Sequence, residues 1–407
     1  MKSRPTYIPP VKDKKRKQRS FVLAVFLLVV GLLVYSFYRD SQQKEELVSD
    51  LPTICGFDTQ QTRKRLKEIE TTTTSELGDY FYYGETLTLL KNSYVLGERD
   101  EYMGRQIRLI NLCDNQVVSF LLSSYLDGNI PVEELPEGFY LASVEIDLRD
   151  YYLTSEETIN DIFYTINRNQ QQKKIEIMAD EDYFVDTSVD EKLFNQNLVF
   201  IKVSDEQAPA TVLDIMIDPA HNDQDFGPLD RGLVDGDFIE ADALVDMAQQ
   251  VKEKLEAYGL KVGITRNQEI ILNTYGTPGR VYSAYESQSK IMIELDMVAN
   301  TQGVDVIGSS YALLSLPEMI STKITDGSAS FNSRLGTLDY HNLIRESGGY
   351  ALGATQYSEI SERLNQFAKD NRHGTQTLSI QFQDFESVDT LVEAIVTGLV
   401  DYINIES

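Results

Sequence analysis

The pattern of apolar and polar positions changes along the chain, and its first feature is one uninterrupted apolar run. Residues 21–38 read FVLAVFLLVVGLLVYSFY and carry no charged side chain. A helix of this length covers about 27 Å, close to the roughly 30 Å hydrocarbon layer of a bilayer. This run therefore predicts a single-pass transmembrane anchor.

The charges around the run predict its orientation. Residues 1–20 hold eight basic side chains and one acidic side chain, a bias that favours a cytoplasmic N-terminus. We expect a basic cytoplasmic tail at 1–20, a cell-membrane anchor at 21–38 and the rest of the chain outside the cytoplasm. A cleaved signal peptide is the alternative, but residues 35–40 offer no small-x-small cleavage site.

Beyond the apolar run the chain is first polar and then alternates with the period of β-strands. Residues 39–75 are polar and dense in charge, which is typical of a stalk. After residue 75, short apolar stretches with the alternation of β-strands predict an antiparallel, β-rich extracytoplasmic domain over 76–207. Its short apolar stretches are separated by Gly, Asn, Asp and Pro and lie at 80–83, 87–90, 107–110, 117–122 and 139–146.

Residues 208–407 alternate between strand and helix patterns. Such alternation predicts an α/β domain with a largely parallel sheet. Functional groups of such sheets collect at the carboxyl ends of the strands, so residues 218–221, Asp296 and residues 381–386 are expected to share one site. The strand candidates are 212–217, 261–265, 291–295 and 377–382, and the helix candidates are 241–255 and 388–403.

Composition narrows the chemistry that the chain can perform. The 407 residues include 37 Lys and Arg against 64 Asp and Glu, a formal charge of -27, which argues against nucleic acid as a partner. Cys55 and Cys113 are too few for a disulfide-built scaffold, and they could form one bridge or remain separate thiols. Of the three histidines, His341 and His373 stand in polar surroundings that predict surface positions. His221 is the third.

A motif follows the first strand of the α/β pattern. Residues 217–222 read IDPAHN, which resembles the DPGHGG motif of the zinc-dependent N-acetylmuramoyl-L-alanine amidases, a family found in many cell-wall autolysins. The resemblance covers residues 211–405 and implies the family's fold and peptidoglycan as a partner. In that family the motif's His is a zinc ligand, a role that falls to His221. Ala220 and Asn222 replace two glycines of the motif.

Further features of the family follow in order. Its second zinc ligand is a Glu that opens a long helix before Gly-x-x-Val-x-x-Thr-Arg. Glu240 matches that Glu, and residues 259–266 read GLKVGITR. The third ligand's place, at the end of a later strand, is held by Asp296.

The family's catalytic Glu has no direct equivalent in this chain. Its position in the late strand is held by Gln381. Asp384 and Glu386, shortly after that strand, are candidate substitutes for the missing carboxylate. An amide cannot accept and return a proton as a general base does, and loss of that assistance typically slows a reaction about a hundred- to ten-thousand-fold.

These replacements leave two hypotheses. His221, Glu240 and Asp296 could hold zinc or another divalent cation. In the first hypothesis the amidase-like domain has a degraded catalytic site and serves binding or regulation at peptidoglycan. In the second it is an active metal-dependent amidase that hydrolyses the bond between N-acetylmuramic acid and L-alanine. Simpler interpretations also stay open, namely an inert loop histidine at 221 and, at 240, an acidic residue favoured by the helix dipole.

Overall fold

A computed structural model of the protein describes most of the chain between residues 51 and 404. The described residues are 29–31, 34–35, 51–69, 73–92, 99–187, 189–224, 227–274, 278–298, 303–309, 312–327, 333–337, 372–385 and 387–404. The predicted cytoplasmic tail and most of the predicted anchor at 21–38 lie outside them. Among the residues described, no helix is both long enough and apolar enough to cross a bilayer.

The N-terminal region of regular structure is β-rich. It also contains short 3-10 helices at Val132–Glu134 and Glu181–Phe184. Its helix and strands are α1 (Thr59–Lys67), β1 (Thr74–Glu76), β2 (Asp79–Tyr83), β3 (Thr86–Leu90), β4 (Gln106–Asn111), β5 (Val117–Leu121), β6 (Ile130–Pro131), β7 (Gly138–Ile146), β8 (Arg149–Ser155), β9 (Ile159–Tyr164), β10 (Lys173–Ala179), β11 (Val185–Asp186), β12 (Glu191–Lys192), β13 (Asn197–Leu198) and β14 (Phe200–Asp205).

Most of these strands form one large sheet. Its central order is β1-β8-β7-β14-β10-β9, with β13 beside β8 and the β4–β5 hairpin beside β7. The strand pairs are antiparallel apart from β1 with β8. A smaller sheet contains β2, β3 and β6. The antiparallel β structure that the alternating pattern predicts for this region is therefore present.

The strand β2 links the two halves of the molecule. Because side chains alternate between the two faces of a strand, Tyr80 and Tyr82 both point into the apolar core that the two N-terminal sheets share. Phe81 and Tyr83 point the other way, into a second core that includes Met216 of the C-terminal region. Both faces of β2 are therefore covered.

The segment 51–69 packs on the large sheet. Leu51, Ile54 and Leu66 are buried in one apolar cluster with residues of β7 and β14. Residues 51–69 therefore belong to the folded β-rich region, and the stalk predicted for 39–75 is wrong for these residues. A few buried apolar side chains can hold a mostly polar segment in place, and the average polarity of the segment does not reveal them.

A disulfide fastens the same segment. Cys55 and Cys113 are bonded, with their Cα atoms 5.5 Å apart, a distance in the usual range for a disulfide. Cys113 lies in the turn between β4 and β5, so the bond joins the chain before α1 to the large sheet. The sequence left open whether the two cysteines form one disulfide or remain separate thiols, and the structure contains the disulfide.

The C-terminal region is α/β. Its helices and strands are β15 (Ile215–Pro219), β16 (Val234–Asp235), β17 (Phe238–Ile239), α2 (Glu240–Ala257), β18 (Val262–Ile264), α3 (Arg280–Glu286), β19 (Ile291–Met297), β20 (Val304–Gly308), α4 (Ser315–Gly327), β21 (Ser333–Thr337), β22 (His373–Gly374), β23 (Gln376–Phe382) and α5 (Val388–Ile403).

The central sheet of this region has the order β18-β15-β19-β23-β20-β21. Its first four strands are parallel, and β20 is antiparallel to β23. Ile215 and Ile217 face a core built with α2, α4 and α5, whereas Met216 between them faces the core shared with β2. Strands covered on both faces are typical of α/β domains. The predicted α/β fold with a largely parallel sheet is confirmed.

One short strand of the C-terminal region joins the smaller N-terminal sheet. β22 runs parallel to β2, with His373 opposite Tyr82. His373 is 2% exposed and lies among the rings of Tyr82, Phe163 and Tyr285. The surface position predicted for His373 is wrong, because this long-range strand pairing buries it. His341 lies outside the described residues.

Candidate metal centre

The candidate site residues meet at the carboxyl edge of the parallel sheet. His221 follows the end of β15, and Asp296 and Gln381 occupy paired positions on β19 and β23. Glu240 is the first residue of α2. Parallel strands present their carboxyl ends along one edge, so segments far apart in the sequence come together here as expected.

Three side chains converge on one point. His221 Nε2 lies 2.9 Å from Oε1 of Glu240 and 3.4 Å from Oδ1 of Asp296. One candidate ligand atom from each of these residues lies within 4.8 Å of the other two. The Glu240 side chain is 3% exposed and that of His221 is 20% exposed, so the group is largely enclosed and His221 remains partly accessible. The structure thus brings together the three residues that the family resemblance assigns as metal ligands.

The turn that carries His221 has an uncommon backbone conformation. His221 and Asn222 have φ angles of +65° and +58°, in the left-handed region that few residues with a Cβ adopt. Asn tolerates this region, and Asn222 Nδ2 donates a hydrogen bond of 2.8 Å to the carbonyl of Ile270. The structure therefore accommodates Asn222 in place of a glycine of the family motif. Ala220 is outside the left-handed region.

Two buried arginines fix the end of β15 next to this turn. Arg266 Nε and Arg280 Nη1 donate hydrogen bonds of 3.0 Å and 3.2 Å to the same carbonyl, that of Pro219. Arg280 Nη1 also lies 3.5 Å from Oδ2 of Asp218. Burial raises the pKa of Asp218 to about 6, although Arg280 opposes this shift.

Two further contacts reach the site from a loop that the sequence does not mark. Oδ2 of Asp230 lies 3.0 Å from Nδ1 of His221, and the Leu233 amide donates a hydrogen bond of 2.6 Å to Oε2 of Glu240. The loop between His221 and Glu240 has no apolar periodicity. A carboxylate about ten residues after the motif's histidine is the faint signal that could have pointed to Asp230.

The carboxylates control the protonation of the histidine. Burial alone lowers the pKa of His221. Hydrogen bonds to Asp296, Glu240 and Asp230 outweigh that effect and raise this pKa to about 11. Burial raises the pKa of Asp296, and the hydrogen bond to His221 acts against it. Without a metal, the surrounding carboxylates therefore favour the protonated imidazole.

The three candidate catalytic residues have different positions. Gln381 Nε2 donates a hydrogen bond of 3.4 Å to Oδ2 of Asp296, so its neutral amide lies beside the candidate ligands. Asp384 is exposed in the segment after β23. Glu386 lies outside the described residues. The structure therefore joins Gln381 to the ligand group and leaves Asp384 facing solvent.

Comparison with known protein families identifies the C-terminal domain. Residues 215–378 match the family model described as N-acetylmuramoyl-L-alanine amidase. The C-terminal half is an amidase-like domain. The resemblance inferred from the IDPAHN motif is confirmed, and the matched range contains His221, Glu240 and Asp296.

Solved amidase structures resemble this half of the chain. The amidase AmiC2 of Nostoc punctiforme has 16% identity and a TM-score of 0.35, covering 49% of this chain and 99% of that chain. The catalytic domain of CwlV from Bacillus (Paenibacillus) polymyxa var. colistinus has 14% identity and a TM-score of 0.33, covering 48% and 100%. CwlD of Clostridioides difficile, solved with the GerS lipoprotein, has 13% identity and a TM-score of 0.32, covering 47% and 100%. No curated protein matches the chain.

Proposed function

We propose that this protein is anchored in the cell membrane and holds its amidase-like domain at peptidoglycan. There the domain has a binding or regulatory role and hydrolyses peptidoglycan poorly. The observation that carries the proposal is the contact between Gln381 and Asp296. Gln381, which the resemblance assigns to the family's catalytic Glu position, donates a hydrogen bond to the candidate metal ligand Asp296. An amide in that place cannot take a proton from water or return it to a leaving amine.

The donor set nevertheless fits a divalent cation. His221 Nε2 and one oxygen each from Glu240 and Asp296 make a three-ligand group, the number found in catalytic zinc sites. Zinc dependence is expected for this family, and two carboxylates with one imidazole also suit harder cations. When bound, such a cation supplies Lewis-acid polarisation of a carbonyl and a more acidic water.

An active amidase is the second candidate function, and the convergence of His221, Glu240 and Asp296 favours it. Each of these residues offers one ligand atom, and the three atoms lie within 4.8 Å of one another, which is the arrangement that a metal-dependent hydrolase needs. In this case Asp384 or Glu386 accepts the proton of the attacking water. The same group then returns the proton to the amine that leaves the bond between N-acetylmuramic acid and L-alanine.

Peptidoglycan sedimentation and peptide release separate these two functions. We expect the purified full-length chain, with excess zinc, to sediment with purified peptidoglycan and to release no new L-alanine amino termini. Release that disappears in a His221→Ala variant, but not in a Glu256→Gln variant of the exposed side of α2, would establish the active amidase instead. A well-folded sample that neither sediments nor releases peptide would refute both functions.

The proposed location rests on the sequence of the N-terminal part. The uncharged run at 21–38 follows the basic block at 1–20, and this combination favours a cytoplasmic N-terminus and extracytoplasmic C-terminal domains. We expect the full-length protein in the membrane fraction after a carbonate wash. A variant without residues 21–38 should appear in the soluble fraction. A full-length protein released by carbonate would contradict the anchor.

A further inference from the structure

The loop segment 230–233 lies against the candidate metal ligands without providing one. Asp230 contacts His221, and the Leu233 amide contacts Glu240. We infer that this segment orients two of the three ligands for the cation and that Asp230 and Gly232 are its positioning residues. The inference rests on the metal site proposed above, and it concerns residues that the family resemblance does not assign.

Asp230 fixes the histidine ring. When Nε2 of His221 faces a cation, the remaining ring proton is on Nδ1, and Oδ2 of Asp230 lies 3.0 Å away to accept it. A carboxylate in this position fixes the orientation of the ring and makes the ligand nitrogen more basic. The carboxylate is itself held, because its Oδ1 accepts a 2.9 Å hydrogen bond from the Gly232 amide.

The backbone of Asp230 is tied to the motif turn as well. The backbone N–H of Asn222 donates a 2.6 Å hydrogen bond to the backbone carbonyl of Asp230. The backbone N–H of Asp230 donates one of 2.9 Å to the backbone carbonyl of Asp223. This pairing places Asp230 beside the left-handed turn that presents His221. Main-chain contacts therefore fix the backbone of Asp230, and the Gly232 amide holds its carboxylate.

The other end of the segment fixes the glutamate. Oε2 of Glu240 accepts the Leu233 amide at 2.6 Å, while Oε1 faces His221 Nε2 at 2.9 Å. The Glu240 amide in turn donates a 2.9 Å hydrogen bond to the Leu233 carbonyl. One carboxylate oxygen is thus occupied by the backbone, and the other is directed to the metal position.

Gly232 allows the segment to lie this close. Its φ is +66°, and a Cβ on it would be 2.5 Å from Oε2 of Glu240 and 2.8 Å from Cδ2 of His221. Real Cβ atoms do not approach other heavy atoms so closely. Gly236 in the same loop has a similar φ of +61°, but nothing lies within 4 Å of its Cβ position. The two glycines therefore share the backbone requirement and differ in contact with the ligands.

This difference provides a matched test by calorimetric titration of the full-length protein with Zn²⁺. We expect Asp230→Ala and Gly232→Ala to weaken zinc binding about ten- to a hundredfold, the usual effect of losing a contact to a metal ligand. Asp230→Asn keeps an acceptor oxygen and should recover part of the affinity. Gly236→Ala carries the same backbone strain and should bind within about threefold of the wild type.

The results of these titrations distinguish a wrong positioning role from a wrong metal site. If the wild type binds zinc and Asp230→Ala and Gly232→Ala bind equally well, the positioning role is wrong while the metal site stands. If the wild type does not bind Zn²⁺, both the positioning role and the zinc site are wrong. The melting temperature of each metal-free variant shows whether it is folded. Because the Asp230 side chain is 55% exposed, the Asp230 variants decide the question even if Gly232→Ala does not fold.

Discussion

Gln381 and Asp296 are paired across neighbouring parallel strands, and the Gln381 amide donates a 3.4 Å hydrogen bond to the Asp296 carboxylate. An amide can orient a metal ligand in this way, but it brings neither negative charge nor a proton acceptor of useful basicity. Gln381, to which the family resemblance assigns the catalytic Glu position, therefore contacts Asp296 through a neutral amide. On the function proposed above, this contact would allow the site to bind a metal without hydrolysing peptidoglycan.

A single substitution tests that separation. Gln381→Glu puts a carboxylate beside Asp296 and restores a proton acceptor, so we expect release of L-alanine amino termini from peptidoglycan to rise about a hundredfold or more. Gln381→Met removes the amide without adding a base and should give no rise. If both variants release peptide at the wild-type rate, Gln381 is not what limits hydrolysis.

Metal binding should be coupled to loss of the His221 proton. The neighbouring carboxylates raise the pKa of His221 to about 11, so at pH 7 the metal-free ring is charged and a cation must displace a proton from Nε2. We expect about one proton released per zinc bound and an affinity that rises about tenfold per pH unit below that pKa.

Calorimetry in two buffers of different ionisation enthalpy, both at pH 7, measures this proton directly. His221→Gln should abolish both the binding and the release. Zinc binding with no proton released, and with an affinity that does not change between pH 6 and 8, would show that the ring is already neutral in the metal-free protein.

The sequence predicts the ligand group better than it predicts the contacts around it. Strand alternation and the order of the motifs are enough to bring His221, Glu240 and Asp296 to one sheet edge, because the carboxyl ends of parallel strands meet there. Asp230 escapes prediction because its contact depends on the left-handed turn at His221 and Asn222. Such a turn leaves no periodic pattern in the sequence.

The N-terminal region shows the same limit. The polarity of 39–75 predicts a stalk, yet Leu66 is fully buried and one disulfide holds the preceding residues. Local composition reports the average of a segment, whereas attachment depends on a few side chains and on a partner far away in sequence. Cys55 meets Cys113 across 58 residues, and the sequence alone left their pairing open.

Reduction of this disulfide should destabilise the β-rich region. The chain-entropy estimate for a loop of 58 residues is about 4 kcal/mol, and native bridges typically contribute about 2–4 kcal/mol. We expect urea unfolding of the purified protein to shift to lower denaturant when a reductant is added. The Cys55→Ser, Cys113→Ser double variant should unfold at that same lower midpoint with or without the reductant. Equal midpoints for oxidised and reduced wild type would contradict the prediction.

His373 should make the fold sensitive to mild acid. It is fully buried among aromatic rings, and burial, assisted by the nearby Lys290, lowers its pKa to about 3. In the unfolded chain the ring titrates near its ordinary value of about 6.5. Between these two pKa values the unfolded state binds a proton that the folded state excludes, so the free energy of unfolding falls as the pH is lowered from about 6.5 towards 3.

The contribution of His373 can be isolated by measuring the free energy of unfolding of each variant at two pH values and comparing the differences. One such group lowers the free energy of unfolding by about 2 kcal/mol between pH 8 and pH 5. His373→Phe and His373→Leu cannot bind the proton, so each should lose about 2 kcal/mol less than the wild type over that interval. Any packing defect that a substitution causes is present at both pH values and cancels in the difference. If both variants lose as much stability as the wild type, the acid sensitivity arises from other groups and His373 does not stay neutral in the fold.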